Sequence, residues 1–224
     1  MSAGYKKQYE HFSQEVSFVA RTWHHHLQIE QRAMVDNKFH AALNKAAQFW
    51  LDHRFMALQT TIIVLGRVFD KDSRAHSLSK TLVAAKNELE HFEKSELRKR
   101  KIGIGETPNW LDAYLASAHE LSADDLKNIR VEYNKANSFW KKLEPLRNKI
   151  FAHGEILSDA ERSSIYASAK TEDITSILQI LLNISEALWQ AEVNGKKPDF
   201  ASDQTRTIAW AKKDIQELGD SLTC

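Results

Sequence analysis

Residues 171–198, TEDITSILQILLNISEALWQAEVNGKKP, decide the fold class. Ile174, Ile177, Leu178, Leu181, Leu182, Ile184, Leu188 and Trp189 recur at steps dominated by three and four, the period of a helix. Apolar residues cover most of the circumference, so the spacing predicts a helix at the centre of a larger assembly. Thr171 reads as its N-cap, and Gly195 with Pro198 as its stop.

The same period extends in both directions. Upstream, Ser158 and Glu161 form a capping box that opens a short helix to about residue 169. Ser122 and Asp125 form another, starting a long helix through Leu126, Ile129, Tyr133, Phe139, Trp140 and Leu143. Pro145 should kink or restart that helix and Gly154 should end it. Three further helices are predicted over residues 7–33, 37–69 and 78–99, with a polar turn at Asp70, Lys71, Asp72 and Ser73. Gly103 and Gly105 mark a loop, after which Thr107 and Pro108 should cap and begin a short helix to about residue 119. Downstream, residues 202–218 form an amphipathic helix whose stripe of Ile208, Ala211, Ile215 and Leu218 suits core or a partner surface. Alternating β-branched runs and Asn-Gly or Asp-Gly turns are missing. The expectation is one all-α domain over residues 1–224, a helical bundle with an up-down four-helix core and additional short helices.

Composition narrows the function classes. Among 224 residues, 31 Lys and Arg face 30 Asp and Glu, for a net charge of +1. That balance argues against a strongly basic nucleic-acid coat and leaves room for local patches. An apolar share of 42% supports a packed core. The one cysteine, Cys224, excludes an intrachain disulfide and a Cys-based metal knuckle. Lys6, Lys7, Glu10 and Glu15 interrupt any signal-peptide core, and the uncharged runs 55–66 and 174–185 fall short of the roughly 18 residues of a membrane span. A cytoplasmic address without membrane contact is the expectation.

Several chemical candidates dissolve on inspection. His24, His25 and His26 are consecutive, point about 100° apart on a helix, and read as a solvated or half-buried face. Glu88 and His91 make one Glu-x-x-His unit where a di-iron bundle needs two, so Glu88 reads as an exposed charge. Gly103-Ile104-Gly105 lacks both a preceding strand and the third glycine of a dinucleotide loop. Lys94, Arg98, Lys99, Arg100 and Lys101 close a helix, where cations are favourable by about 0.3–1 kcal/mol each.

Lys141, Lys142, Arg147 and Lys149 form a second basic cluster, and Asn148, Ala152 and His153 accompany it before the helix-stopping Gly154. On a straight helix Arg147 and His153 lie about 120° apart. They converge only if the helix ends or distorts, or if a second copy faces the first. Taken alone, the favoured reading is His153 capping a helix end.

Arg147-Asn148-x-x-x-Ala152-His153 resembles the Arg-x(4–6)-His signature of the HEPN superfamily, in which Asn, Asp or His commonly follows the arginine. Asp52-His53-Arg54, Ala57-Leu58, Arg67-Val68-Phe69-Asp70-Lys71 and Ser77-Leu78 are similar to its AbiU-type abortive-infection branch. The resemblance covers about residues 10–195. It implies a HEPN-like helical bundle, often a homodimer, and in many members a metal-independent endoribonuclease of bacterial defence or toxin–antitoxin type. Arg147 and His153 would be the catalytic pair, Asn148 would position them, and Lys141, Lys142 and Lys149 would bind substrate. RNA would be the substrate, attacked by its own 2′-hydroxyl, with no metal and no cofactor. A cognate antitoxin protein is a further implied partner. Arg54 and Arg67 could line the substrate groove, although pairing with Asp52 and Asp70 is the slightly favoured reading. The alternatives are a noncatalytic helical interaction or nucleotide-binding module, and a structural bundle in which Arg147 ties helices together.

Overall fold

A computed structural model of the chain describes residues 4–70, 72, 76–104, 106–201 and 205–223, and every regular element among them is helical. Four long helices carry the architecture: α1 (Tyr5–Val35), α3 (Ala47–Val68), α7 (Ala123–Pro145) and α9 (Thr171–Asn194). α1 packs along α3 and α9, and α7 packs along α9 and touches α3. The apolar run of α9 does sit at the centre. Ile177, Leu178, Leu181, Ile184 and Leu188 are fully buried, while Trp189, at the edge of that face, is 40% exposed. Burying each such aliphatic side chain contributes about 1.5–3 kcal/mol, so this one face holds the bundle together.

Shorter helices fill the gaps: α2 (Asn37–Asn44), α4 (Leu78–Asn87), α5 (Lys94–Ile102), α6 (Leu111–Ser117), α8 (Asp159–Ser168) and α10 (Thr205–Thr223). The continuous helix expected over 37–69 is broken between α2 and α3. Asp36 accepts hydrogen bonds from the backbone N–H groups of Lys38 and Phe39. α2 then buries Phe39 and Leu43 against Ile29 and Ile215 in a separate small core. That contact also settles the stripe on α10, where Ala211 and Ile215 are core and Ile208 is 38% exposed.

The helix expected over 78–99 is interrupted as well, by a 3₁₀ turn at Leu89–Phe92. Glu88 is half-buried and accepts from the backbone N–H of Tyr5, so it serves the free N-terminus of α1 rather than standing as an exposed charge. Phe92 is buried edge-on against the Tyr5 ring. Thr107 and Pro108 do not begin a helix; α6 starts at Leu111, whose N–H bonds to the Pro108 carbonyl.

Both capping boxes are present, Ser122 with Asp125 and Ser158 with Glu161. Thr171 is the first helical residue of α9 rather than its cap. Gly195 takes the left-handed conformation (φ 54°) that lets its own N–H and that of Lys196 close the helix end. His24 and His26 are more buried than a half-solvated face allows, and burial pushes both imidazoles down, which favours their neutral forms. Their neighbour His25 instead reaches Asp214 of α10 at 2.9 Å. Lys71, Ser73, Gly105, Ser202 and Cys224, which entered the sequence reading, lie outside the described residues. Among the described residues, no helix is long and apolar enough to cross a membrane.

Candidate functional site

The segment Leu146–Ala152 continues α7 as a π-helix, ending at His153. Its cause is written one residue earlier. Pro145 has no N–H for the Lys141 carbonyl, and its ring crowds that carbonyl, so the α pattern fails there. The chain widens instead of stopping because Leu146 is fully buried and Ile150 and Phe151 pack against the main core. Phe151 meets Phe55 of α3 edge-on at 5.7 Å and Tyr166 of α8 at 6.3 Å. Gly154 (φ 56°) then turns the chain, and the Glu155 N–H closes the end on the Lys149 carbonyl at 2.8 Å.

Anchored in this way, the segment treats its polar residues unequally. Arg147 is half-buried and lies against Gly66 of α3: a Cβ built on Gly66 would come within 2.9 Å of the arginine Nε. That Nε is sealed from solvent without a hydrogen-bond partner. One terminal nitrogen, Nη1, donates to the Asn148 side-chain oxygen at 2.8 Å, and Nη2 has no partner among the described residues. Asn148 is itself half-buried, so the amide and the guanidinium brace each other.

His153 is exposed and makes no hydrogen bond or ion pair among the described residues. It occupies the C-cap position of the segment, as the helix-end reading expected, but its side chain bonds none of the terminal carbonyls. No hydrogen bond joins it to Arg147 within one chain. Arg147, Asn148 and His153 thus share one short distorted segment, with the arginine held and the imidazole free.

The lysines divide. Lys142 Nζ bonds the buried Asp173 carboxylate of α9 at 3.1 and 3.3 Å and lies 5.0 Å from the Phe139 ring centre. It pins α7 to α9. Lys141 is exposed and has no carboxylate partner among the described residues, and both lysines line a groove of about 600 Å³ with Pro145, Ser164, Lys170 and Asp173. Lys149 is exposed near Glu161, whose carboxyl is held below its usual range by the Ser158 hydroxyl and backbone N–H, with the Lys149 charge adding to them.

Several basic residues outside this segment are engaged. Arg98 pairs with Asp112 and Lys99 with Glu96, while Arg100 donates to the His91 and Glu192 carbonyls. Arg67 pairs with Glu15 at 2.6 Å and Arg54 with Glu30 at 3.5 Å, both carboxylates being on α1 rather than the local Asp70 and Asp52. Among the described residues, no group of three or more His, Cys, Asp or Glu is placed to hold a metal ion.

Two features escaped the sequence reading. Gly66, inside an apolar helical run, was the available signal for a close approach. The other is an apolar strip on the first half of α3, where Phe49, Phe55 and Met56 are each about half exposed or more.

Against known protein families, the AbiU2 model of the HEPN superfamily matches residues 2–209, nearly the whole chain. No curated protein and no solved structure matches.

Proposed function

The chain belongs to the AbiU2 family of the HEPN superfamily, and from that premise we propose a metal-independent endoribonuclease whose cleft is completed by a second copy of the chain. The observation that carries the reading is the division of labour in one segment: Arg147 is braced with Nη2 unpartnered, and His153 is exposed and unengaged.

RNA supplies its own nucleophile, so the protein has two tasks. One is to move a proton between the 2′-hydroxyl and the leaving 5′-oxygen, which an imidazole performs near neutral pH. The other is to hold the phosphoryl oxygens as negative charge grows, which the planar guanidinium performs with parallel N–H donors. Arg147 takes the second role and His153 the first. Asn148 fixes the guanidinium plane, and Lys141 with Lys149 attracts the flanking phosphates. The products are a 2′,3′-cyclic phosphate and a 5′-hydroxyl.

The lack of any link between Arg147 and His153 within one chain favours a composite site. The α3 strip suits the second copy because Phe55 already touches Phe151 of the motif segment, so a partner docked there lies beside the motif. A noncatalytic binding module is the second reading, favoured by that same exposed strip.

The test is cleavage of a mixed RNA pool in excess EDTA by the wild-type chain and by Arg147→Ala and His153→Ala. Cleavage by the wild type with loss of at least 100-fold in each variant is expected. A folded wild-type dimer that cleaves nothing leaves the binding module, and equal cleavage by all three removes Arg147 and His153 from the chemistry.

A further inference from the structure

Within the nuclease reading above, on which this step rests, we propose that Gly66 is a positioning residue: its missing side chain is the notch that fixes the course of Arg147 across α3.

A glycine inside a helix lowers its stability relative to alanine, so its presence needs a compensating use. Backbone freedom is not that use. Gly66 sits within the helix Ala47–Val68, and the glycines with positive φ are Gly103, Gly154 and Gly195. Space is the remaining explanation. A Cβ at position 66 would lie 2.9 Å from Nε, 3.2 Å from Cγ and 3.3 Å from Cδ of Arg147. The first distance is closer than side-chain carbons pack, and the other two are tight. Three successive stem atoms therefore run directly over the glycine.

This approach has a cost that shows where the benefit falls. Nε is buried with no acceptor, an unfavourable state for a donor on a charged group. The arginine tolerates it because the stem is clamped between α3 and the π-helical segment. The Nη1 bond to Asn148 then fixes the plane. With the stem immobilised during folding, the fork meets a phosphate already aimed. An added methyl group would displace the stem by roughly 0.5 Å, the tolerance within which a catalytic constellation must be held. A misplacement of about 1 Å can cost 10²-fold in rate.

The experiment uses the full chain as wild type, Gly66→Ala, Arg147→Ala and the double variant. Three quantities are read: thermal midpoint, hydrogen exchange at the Arg147 Nε–H in ¹⁵N-arginine-labelled protein, and single-turnover cleavage of the RNA pool in EDTA. Gly66→Ala is expected to keep or raise the midpoint and to speed Nε–H exchange at least tenfold. Its single-turnover rate at saturating protein should fall roughly tenfold with the half-saturating protein concentration little changed, and it should add no further loss to Arg147→Ala. If Gly66→Ala fails to fold while the double variant folds, the notch is supported, because only the arginine stem made the methyl group intolerable. Unchanged exchange and rate overturn the proposal. So does an equal further loss in the Arg147→Ala background, or misfolding of the double variant as well. A wild type that cleaves nothing defeats the nuclease reading alone, since the exchange measurement still decides whether Gly66 holds Arg147.

Discussion

Lys141 and Lys142 are neighbours in sequence with different surroundings. Both line the open groove beside Pro145, but Lys142 is bonded there to the buried Asp173, whereas Lys141 has no carboxylate partner among the described residues. On the proposed nuclease reading, Lys141 is the lysine left to meet substrate, and Lys142 is the one that ties α7 to α9. Lys141→Ala should leave stability within about 0.5 kcal/mol, weaken RNA binding across sequences and reduce the salt slope by about 0.7. Lys142→Ala strips the Asp173 carboxylate of its cation and Phe139 of its charge contact. It should lower stability by roughly 1 kcal/mol, allowing for the screening of a half-exposed lysine, or about 2–4 °C in thermal midpoint. Urea unfolding and RNA titration at several salt concentrations separate the two. Equal effects on binding with no stability difference would return Lys142 to the substrate groove.

At the scale of elements, Pro145 is the residue on which the motif geometry turns. Replacing it by alanine restores an N–H that can bond the Lys141 carbonyl and lets α7 run on as an α-helix. The π-helical register would then be lost and Arg147 would rotate away from Gly66. Pro145→Ala should be at least as stable as the wild type yet lose tenfold or more in cleavage rate, read by thermal unfolding beside single-turnover kinetics. Undiminished cleavage would show that the widened turn is incidental. Pro145 also marks what the sequence made legible. The two capping boxes, the central apolar helix and a distortion at Pro145 all follow from local chemistry, where neighbours in sequence decide the outcome. The breaks after Asn44 and Asn87 do not. They are imposed by Ile215 and Tyr5, residues far away in sequence that α2 and the 3₁₀ turn must reach. The same division applies to the site. Arg147, Asn148 and His153 stand out by type and spacing, but Gly66 acquires its meaning only once α3 lies against the motif segment.

For the whole molecule, the question is whether one chain holds a complete site. Arg147 and His153 sit six residues apart without a shared hydrogen bond, and the apolar strip of α3 ends beside them at the Phe55–Phe151 contact. A two-fold arrangement through that strip would bring two copies of the segment face to face, since a two-fold interface presents the same patch from both subunits. If each cleavage uses the arginine of one chain and the histidine of the other, two dead variants can repair each other. A dimer of Arg147→Ala with His153→Ala keeps one intact arginine and one intact histidine, on opposite chains. Co-expressed in equal amounts, half of the dimers should be mixed and each should carry one working pair, so about a quarter of wild-type cleavage should return. The variants purified separately should show almost none. Placing Met56→Glu on both chains should abolish the rescue by preventing dimerisation, with the monomer still helical by circular dichroism. Failure of the mixed dimer to cleave, when size exclusion confirms that it forms, would place both groups of the working site in a single chain.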